Sequence, residues 1–130
     1  MKRQALRWGM PALLAALAIA LPGQHASAVE AVFCSEDEPP AADTVIMLAT
    51  SWCPYCAKAR KFLHARGVDY CEYDIEQSPT GDALHQRSGK RGVPVILIDG
   101  RVIGGYDPDE ISLALKRREQ RRGARPPAGV

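Results

Sequence analysis

The groups best suited to covalent chemistry in this 130-residue chain are its four cysteines, Cys34, Cys53, Cys56 and Cys71. Two of them stand three apart in Cys53-Pro-Tyr-Cys56. Where such a pair marks the passage from a strand to a helix, the first sulfur meets unpaired backbone N–H groups and the positive helix end, which favours thiolate over thiol. The second lies one turn deeper on the same face, within disulfide reach. The spacing therefore predicts thiol–disulfide exchange in which Cys53 attacks and Cys56 resolves. Half of a zinc site is the competing reading. It lacks a second C-x-x-C, and the histidines beyond the first 28 residues, His64 and His85, fall at no ligand spacing. Neither a metal nor a prosthetic group is expected.

Cys34 and Cys71 leave alternatives open. A segment carrying Cys34 beside the strand that holds Cys71 would let the two form a structural disulfide, closing a long loop. Equally, Cys71 is a small buried apolar residue and Cys34 a free thiol on a mobile arm. A regulatory or resolving part for Cys34 is a third reading.

The elements that must position Cys53 and Cys56 can be read on either side of them. Residues 44–50 (TVIMLAT) form a nearly all-apolar run, the mark of a strand covered on both faces. Pro54 suits a first helical turn, and the helix formers after it stop at Gly67. A strand over 68–75, a turn at 79–81 and a short helix over 82–89 follow. The run 94–99 reads as a third strand, and Asp99-Gly100 as a hairpin joining it to a fourth over 101–103. Asp107, Pro108 and Asp109 open a last helix, whose apolar residues end at Leu115. The order β-α-β-α-β-β-α predicts an α/β fold, a mixed four-stranded sheet with helices on both faces.

Outside this body, residues 29–43 combine acids with Pro39 and Pro40 and read as an extended acidic arm. Residues 119–130 read as a basic flexible tail. The charge is segregated: residues 29–115 carry 8 basic and 14 acidic groups, residues 116–130 carry 6 and 1. A body at −6 argues against nucleic-acid binding. The composition, 46% hydrophobic and 25% charged, is that of an ordinary globular chain, not a disordered or multi-span one.

The first 28 residues have a basic start, an apolar stretch and small residues at Ala26 and Ala28. They read as a signal peptide cleaved after Ala28, which places the mature chain in the periplasm, where disulfides persist. An uncleaved anchor is the alternative, but the apolar run falls short of the about 20 residues that span a bilayer.

Three motifs together carry a resemblance: Cys53-Pro-Tyr-Cys56 after a buried strand, Gly92-Val93-Pro94 opening the third strand, and Gly104-Gly105-Tyr106-Asp107 before the last helix. In that order, over about residues 43–118, the chain resembles the glutaredoxins, a thioredoxin-fold family that uses glutathione. The resemblance implies a thioredoxin-like fold and a domain over 44–118. It implies that Pro94 is a cis proline facing the cysteines and that Val93 offers its backbone to a bound peptide. Tyr55 would border the glutathione groove. Gly105, the Tyr106 amide and the Asp107 carboxylate would hold the γ-glutamyl end, and Arg91 the glycyl carboxylate. Position 50, usually a lysine that meets the glycyl carboxylate in the family, is Thr50 here, which would line the same groove without its charge, and Trp52 is closer to the thioredoxins. Implied too are a monomer, no bound cofactor, glutathione as co-substrate, and glutathionylated or disulfide-bonded proteins as partners, with a membrane electron donor if the protein is exported. The alternatives are a thioredoxin-like periplasmic protein-disulfide reductase or oxidase without glutathione dependence, and a redox-idle binding module.

Overall fold

The computed structural model describes residues 29–125 and Gly129; the leader expected over 1–28 lies outside the described residues. Seven elements follow in chain order: β1 (Val45–Ala49), α1 (Pro54–Ala65), β2 (Tyr70–Asp74), α2 (Pro79–Ser88), β3 (Val95–Ile98), β4 (Arg101–Gly104) and α3 (Pro108–Ala124). The sheet order is β2-β1-β3-β4. β1 and β2 are parallel, as a helical crossover requires, and β3 is antiparallel to both β1 and β4.

Alternation along β1 divides the core in two. Val45, Met47 and Ala49 face Ala59 and Leu63 of α1 and Ile111, Ala114 and Leu115 of α3. Leu48 turns to the other side, where Tyr73, Val95 and Leu84 of α2 close over it. Residues covered on both faces explain why the run over 44–50 carries no polar period.

All three helices begin alike. Cys53, Ser78 and Asp107 are the N-caps, each accepting a hydrogen bond on its side chain, and a proline stands just inside each start. Residues 79–81, expected as a turn, are therefore the first turn of α2. Gly81 is glycine for lack of space: a Cβ there would stand 2.5 Å from Tyr73 Cβ, so α2 could not approach β2 as it does.

The boundary at 118 and the flexible tail beyond it also need correction, because α3 runs on to Ala124. Arg118, 6% exposed, reaches back to donate to the Asp43 carbonyl. Arg121 pairs with Asp99 at 2.9 Å, and Arg122 with the Asp43 carboxylate. The basic segment thus lies against acids at the start of β1 and in the β3–β4 hairpin.

The arm is tied to the free edge of β2. Glu72 N–H donates to Val32 O at 2.7 Å, Cys34 N–H donates to Glu72 O at 2.9 Å, and Tyr73 OH donates to Ser35 O at 3.0 Å. The Glu36 carboxylate accepts from Ser78 Oγ and from Thr80 N–H at the start of α2. These bonds hold its carboxyl below the usual range. Cys34 and Cys71 are joined in a disulfide, Cα atoms 5.0 Å apart, across a separation of 37 residues. Replacing both (Cys34→Ala with Cys71→Ala) should cost about 4 kcal/mol of stability by loop-closure entropy. Denaturant unfolding of the variant checks this, and an unchanged midpoint would mean that the arm's other bonds suffice.

Candidate functional site

β1 ends at Ala49, and the chain turns through Thr50, Ser51 and Trp52 to bring Cys53 to the start of α1. Cys53 has extended backbone (φ −78°, ψ 119°), as an N-cap requires, and its sulfur accepts the Cys56 N–H at 3.4 Å. An N-cap atom sits at the positive end of the helix, beside its unpaired amides. Cys53 is buried, at 8% exposure, though less completely than Cys56.

Cys56 is fully buried. Burial pushes its thiol up to about 12, the Cys53 thiol adding to the rise and a hydrogen bond from the Thr50 backbone opposing it. Both cysteines are free thiols. Two sulfurs a helical turn apart thus occupy unlike environments: one capping a helix start, the other fully buried in a core that favours the protonated form.

Opposite Cys53 lies the loop before β3. The Val93–Pro94 peptide bond is cis, and the Cys53 thiol donates to Val93 O at 3.6 Å. His85, at the end of α2, bonds Gly92 O through Nε2 at 2.7 Å. Gly105 N–H donates to Pro94 O at 2.7 Å, with Gly105 at φ +82°, where a side chain would be strained. The second and third motifs of the sequence are therefore hydrogen-bonded to each other beneath the first.

Tyr106 is half-buried and meets Phe62 of α1 edge-on, ring centroids 6.0 Å apart. Asp107 caps α3, its Oδ1 accepting from Asp109 and Glu110 N–H. Tyr55 is exposed at the rim, with Lys58 Nζ 5.0 Å from its ring centroid. Arg91 is exposed at the surface. Thr50 departs from the groove position expected of it: it is 3% exposed, and its hydroxyl is buried without a hydrogen-bond partner. The chain turns inward there, so the side chain presents no surface to a ligand from solution. The Cys34–Cys71 bond belongs to the core on the α2 face, away from α1.

Several contacts around the site were not expected from the sequence. Trp52, 67% exposed, donates from its indole to the Glu76 carboxylate at 3.1 Å, tying the turn before Cys53 to the β2–α2 loop. His85 holds the Gly92 loop. Arg60 and Glu72 form a bidentate ion pair beneath α1, at 2.7 and 2.9 Å. Spacing gives no sign of any of these, since each joins residues of different elements or loops. A cavity of about 560 Å³ lined by Asp43, Asp99, Arg121, Arg122 and Arg125 lies at the opposite end of β1 from Cys53, so cavity size does not mark the site.

A glutaredoxin family model matches residues 45–103, which include both cysteines and the cis proline. A glutaredoxin of Neisseria meningitidis is 43% identical over 65 residues, 48% of this chain and 76% of the relative. Among solved structures, a thioredoxin-like protein aligns with TM-score 0.54 at 24% identity, over 56% of this chain and 95% of the other, and shows the fold. A buckwheat glutaredoxin in complex with glutathione aligns with TM-score 0.50 at 27% identity, over 64% of this chain and 84% of the other. With the sheet order, the cysteine pair at a helix start and the cis proline facing it, these likenesses agree: the chain belongs to the glutaredoxin family of thiol-disulfide oxidoreductases, on a thioredoxin-like fold.

Proposed function

We propose that this protein is an exported oxidoreductase that reduces glutathione mixed disulfides and protein disulfides through a Cys53 thiolate. The observation that carries the reading is the unlike setting of the two sulfurs, Cys53 capping α1 beside Val93 O and Cys56 buried behind it. Cys53 attacks a substrate disulfide, forming a mixed disulfide and releasing one thiolate, which takes up a proton. With a glutathione mixed disulfide as substrate, Cys53 retains the glutathionyl group. A second glutathione thiolate then attacks that bond, leaves as oxidised glutathione and regenerates Cys53. With a protein disulfide, Cys56 attacks the Cys53 sulfur, closes the Cys53–Cys56 bond and expels the second substrate thiol.

Glutathione as co-substrate is supported by the likeness to the buckwheat complex. The Val93 backbone beside Cys53, the rim ring of Tyr55 and the Gly105–Tyr106–Asp107 turn would frame its tripeptide, and Arg91 would meet its glycyl carboxylate. Thr50 gives no second cation, so the carboxylate is left with one exposed partner, worth at most about 1 kcal/mol. Export is supported by the leader-like first 28 residues together with a disulfide outside the cysteine pair that exchanges. There the protein needs electrons from exported glutathione or a membrane dithiol donor.

Three outcomes test this. Cys56→Ser should keep activity on glutathionylated substrate and lose most reduction of protein disulfides, while Cys53→Ser should lose both; steady-state assays on the two substrates decide, and an active Cys53→Ser would assign the nucleophile elsewhere. Intact mass of the exported protein should correspond to a chain beginning at Val29, whereas a membrane-held species retaining Met1 would identify an anchor.

The third concerns pH. A thiol held protonated in the fold at about 12, against 9.0 when free, gives the folded state an extra proton between those values. Its contribution is complete below about pH 9 and is lost as pH rises towards 12. Melting of the reduced protein should therefore fall across this range more steeply than that of the Cys53–Cys56 oxidised form, which lacks the thiol; tyrosine titration is common to both forms and cancels. Parallel curves would count against a buried protonated Cys56.

A further inference from the structure

If Cys56 resolves the mixed disulfide, its buried sulfur must carry charge at the moment it attacks, and little around it is able to help. β1, β3, β4 and α3 contribute Met47, Ala49, Ile96, Ile103 and Ile111 to this core, all uncharged, and the β4–α3 loop adds the half-buried Tyr106. From its own helix Cys56 has Cys53 one turn before and Arg60 one turn after, and from the turn before α1 it has the Thr50 N–H.

Arg60 is fixed with unusual completeness. Nε donates to Glu72 Oε2 at 2.9 Å and Nη2 to Oε1 at 2.7 Å, with the side chains 13% and 3% exposed. Glu72 is itself held on both backbone sides by the arm, through Val32 O and Cys34 N–H. Beside the pair on β2, the Tyr70 hydroxyl is buried without a hydrogen-bond partner. On stability alone a buried ion pair has no advantage over two packed apolar side chains.

We propose that Arg60, locked by Glu72, is a positioning residue for the resolving step, its guanidinium supplying the positive field in which the Cys56 sulfur becomes charged and attacks. The inference rests on the assignment of Cys53 as attacker and Cys56 as resolver. In the step it serves, Cys56 loses its proton and its sulfur bonds to the Cys53 sulfur. The Cys53–substrate bond breaks with its electron pair on the departing thiolate, so the substrate sulfur is reduced and the two protein sulfurs end as a disulfide. The direction of the interaction agrees: Arg60 works against burial at Cys56, and Cys56 in turn strengthens the hold of Arg60 on its proton.

The test follows both sulfurs in one trace. Reduced protein is mixed with one equivalent of dithiobis(nitrobenzoate); attack by Cys53 releases the first coloured thiolate, and attack by Cys56 the second. In Arg60→Met combined with Glu72→Met, which keeps side-chain bulk and leaves no lone buried charge, the first phase should be unchanged. The second should slow by about threefold for each unit that Cys56 rises, because tenfold less thiolate is offset in part by greater nucleophilicity. Its log rate should shift to higher pH, and Arg60→Lys should preserve the rate. Glu72→Gln, which keeps the guanidinium and removes its counter-charge, should speed the second phase and carries the test if the double variant does not fold. A second phase that ignores both changes, or two phases that slow together, would overturn the proposal. Persistence of the second phase in Cys56→Ser would instead overturn the assignment of the resolving thiol.

Discussion

The first turn of a helix leaves backbone N–H groups without intrahelical partners, and at α1 the Cys53 sulfur takes one of them. That choice of cap constrains the rest of the site. A sulfur at the N-cap has to follow a strand that ends beneath the helix start, which β1 does at Ala49. It needs a partner sulfur one turn on, where the helix enters the core, and this is why Cys56 has no exposed surface. It also needs a facing surface to shape the approach of another sulfur. The cis Val93–Pro94 segment forms that surface, held from one side by His85 and from the other by Gly105.

Around this centre the charges are arranged by segment. A chain with acids in its body and bases at its end could have left the end in solvent; here Arg118, Arg121 and Arg122 meet Asp43 and Asp99 at the far end of the sheet. The exposed pairs are worth little singly. Arg118 differs, since it is buried and donates to the Asp43 carbonyl just before β1, so α3 is pinned at both ends, by the Asp107 cap and by this cluster. On the other side the arm covers part of the β2 edge, a row of backbone groups that would otherwise invite pairing with another chain.

What was legible in the sequence followed from local rules. A short apolar run marked β1, and proline, glycine and cap signals marked α1, the hairpin at Asp99-Gly100 and the start of α3, because each depends on residues near one another in the chain. The helix at 79–81 was missed because Ser78, Pro79 and Gly81 read equally as a turn; what decides is Gly81 lying against Tyr73, a contact between separate elements. The reach of α3 was missed for the same reason: polarity over 116–124 signals solvent unless Asp43 and Asp99 are known to stand opposite. Thr50 was placed in the groove by analogy with lysine, but a short side chain at a position that turns inward is covered. Motif order located the cysteines and the cis proline. It was silent on Arg60 and Glu72, whose pairing arises only when α1 folds over β2.

The same geometry bears on which way electrons move in the proposed exported protein. Interactions that stabilise the thiolate stabilise the reduced form and make the disulfide a stronger oxidant. The gap between glutaredoxins, at about −200 to −230 mV, and the strong periplasmic oxidant at about −120 mV corresponds to about 4 kcal/mol or more of such stabilisation. At Cys53 the sulfur meets a helix start and one amide at 3.4 Å, and also donates to Val93 O at 3.6 Å. Burial of Cys56 as a neutral thiol adds no anion stabilisation of its own. A site with a glutaredoxin-like potential would be driven to the disulfide in an oxidising compartment and stay there unless a donor recharges it. Sustained reduction then depends on a donor that reaches Cys53, whose chain neighbours Trp52 and Tyr55 are exposed. Oxidation of substrates is confined to protein dithiols more reducing than the site itself.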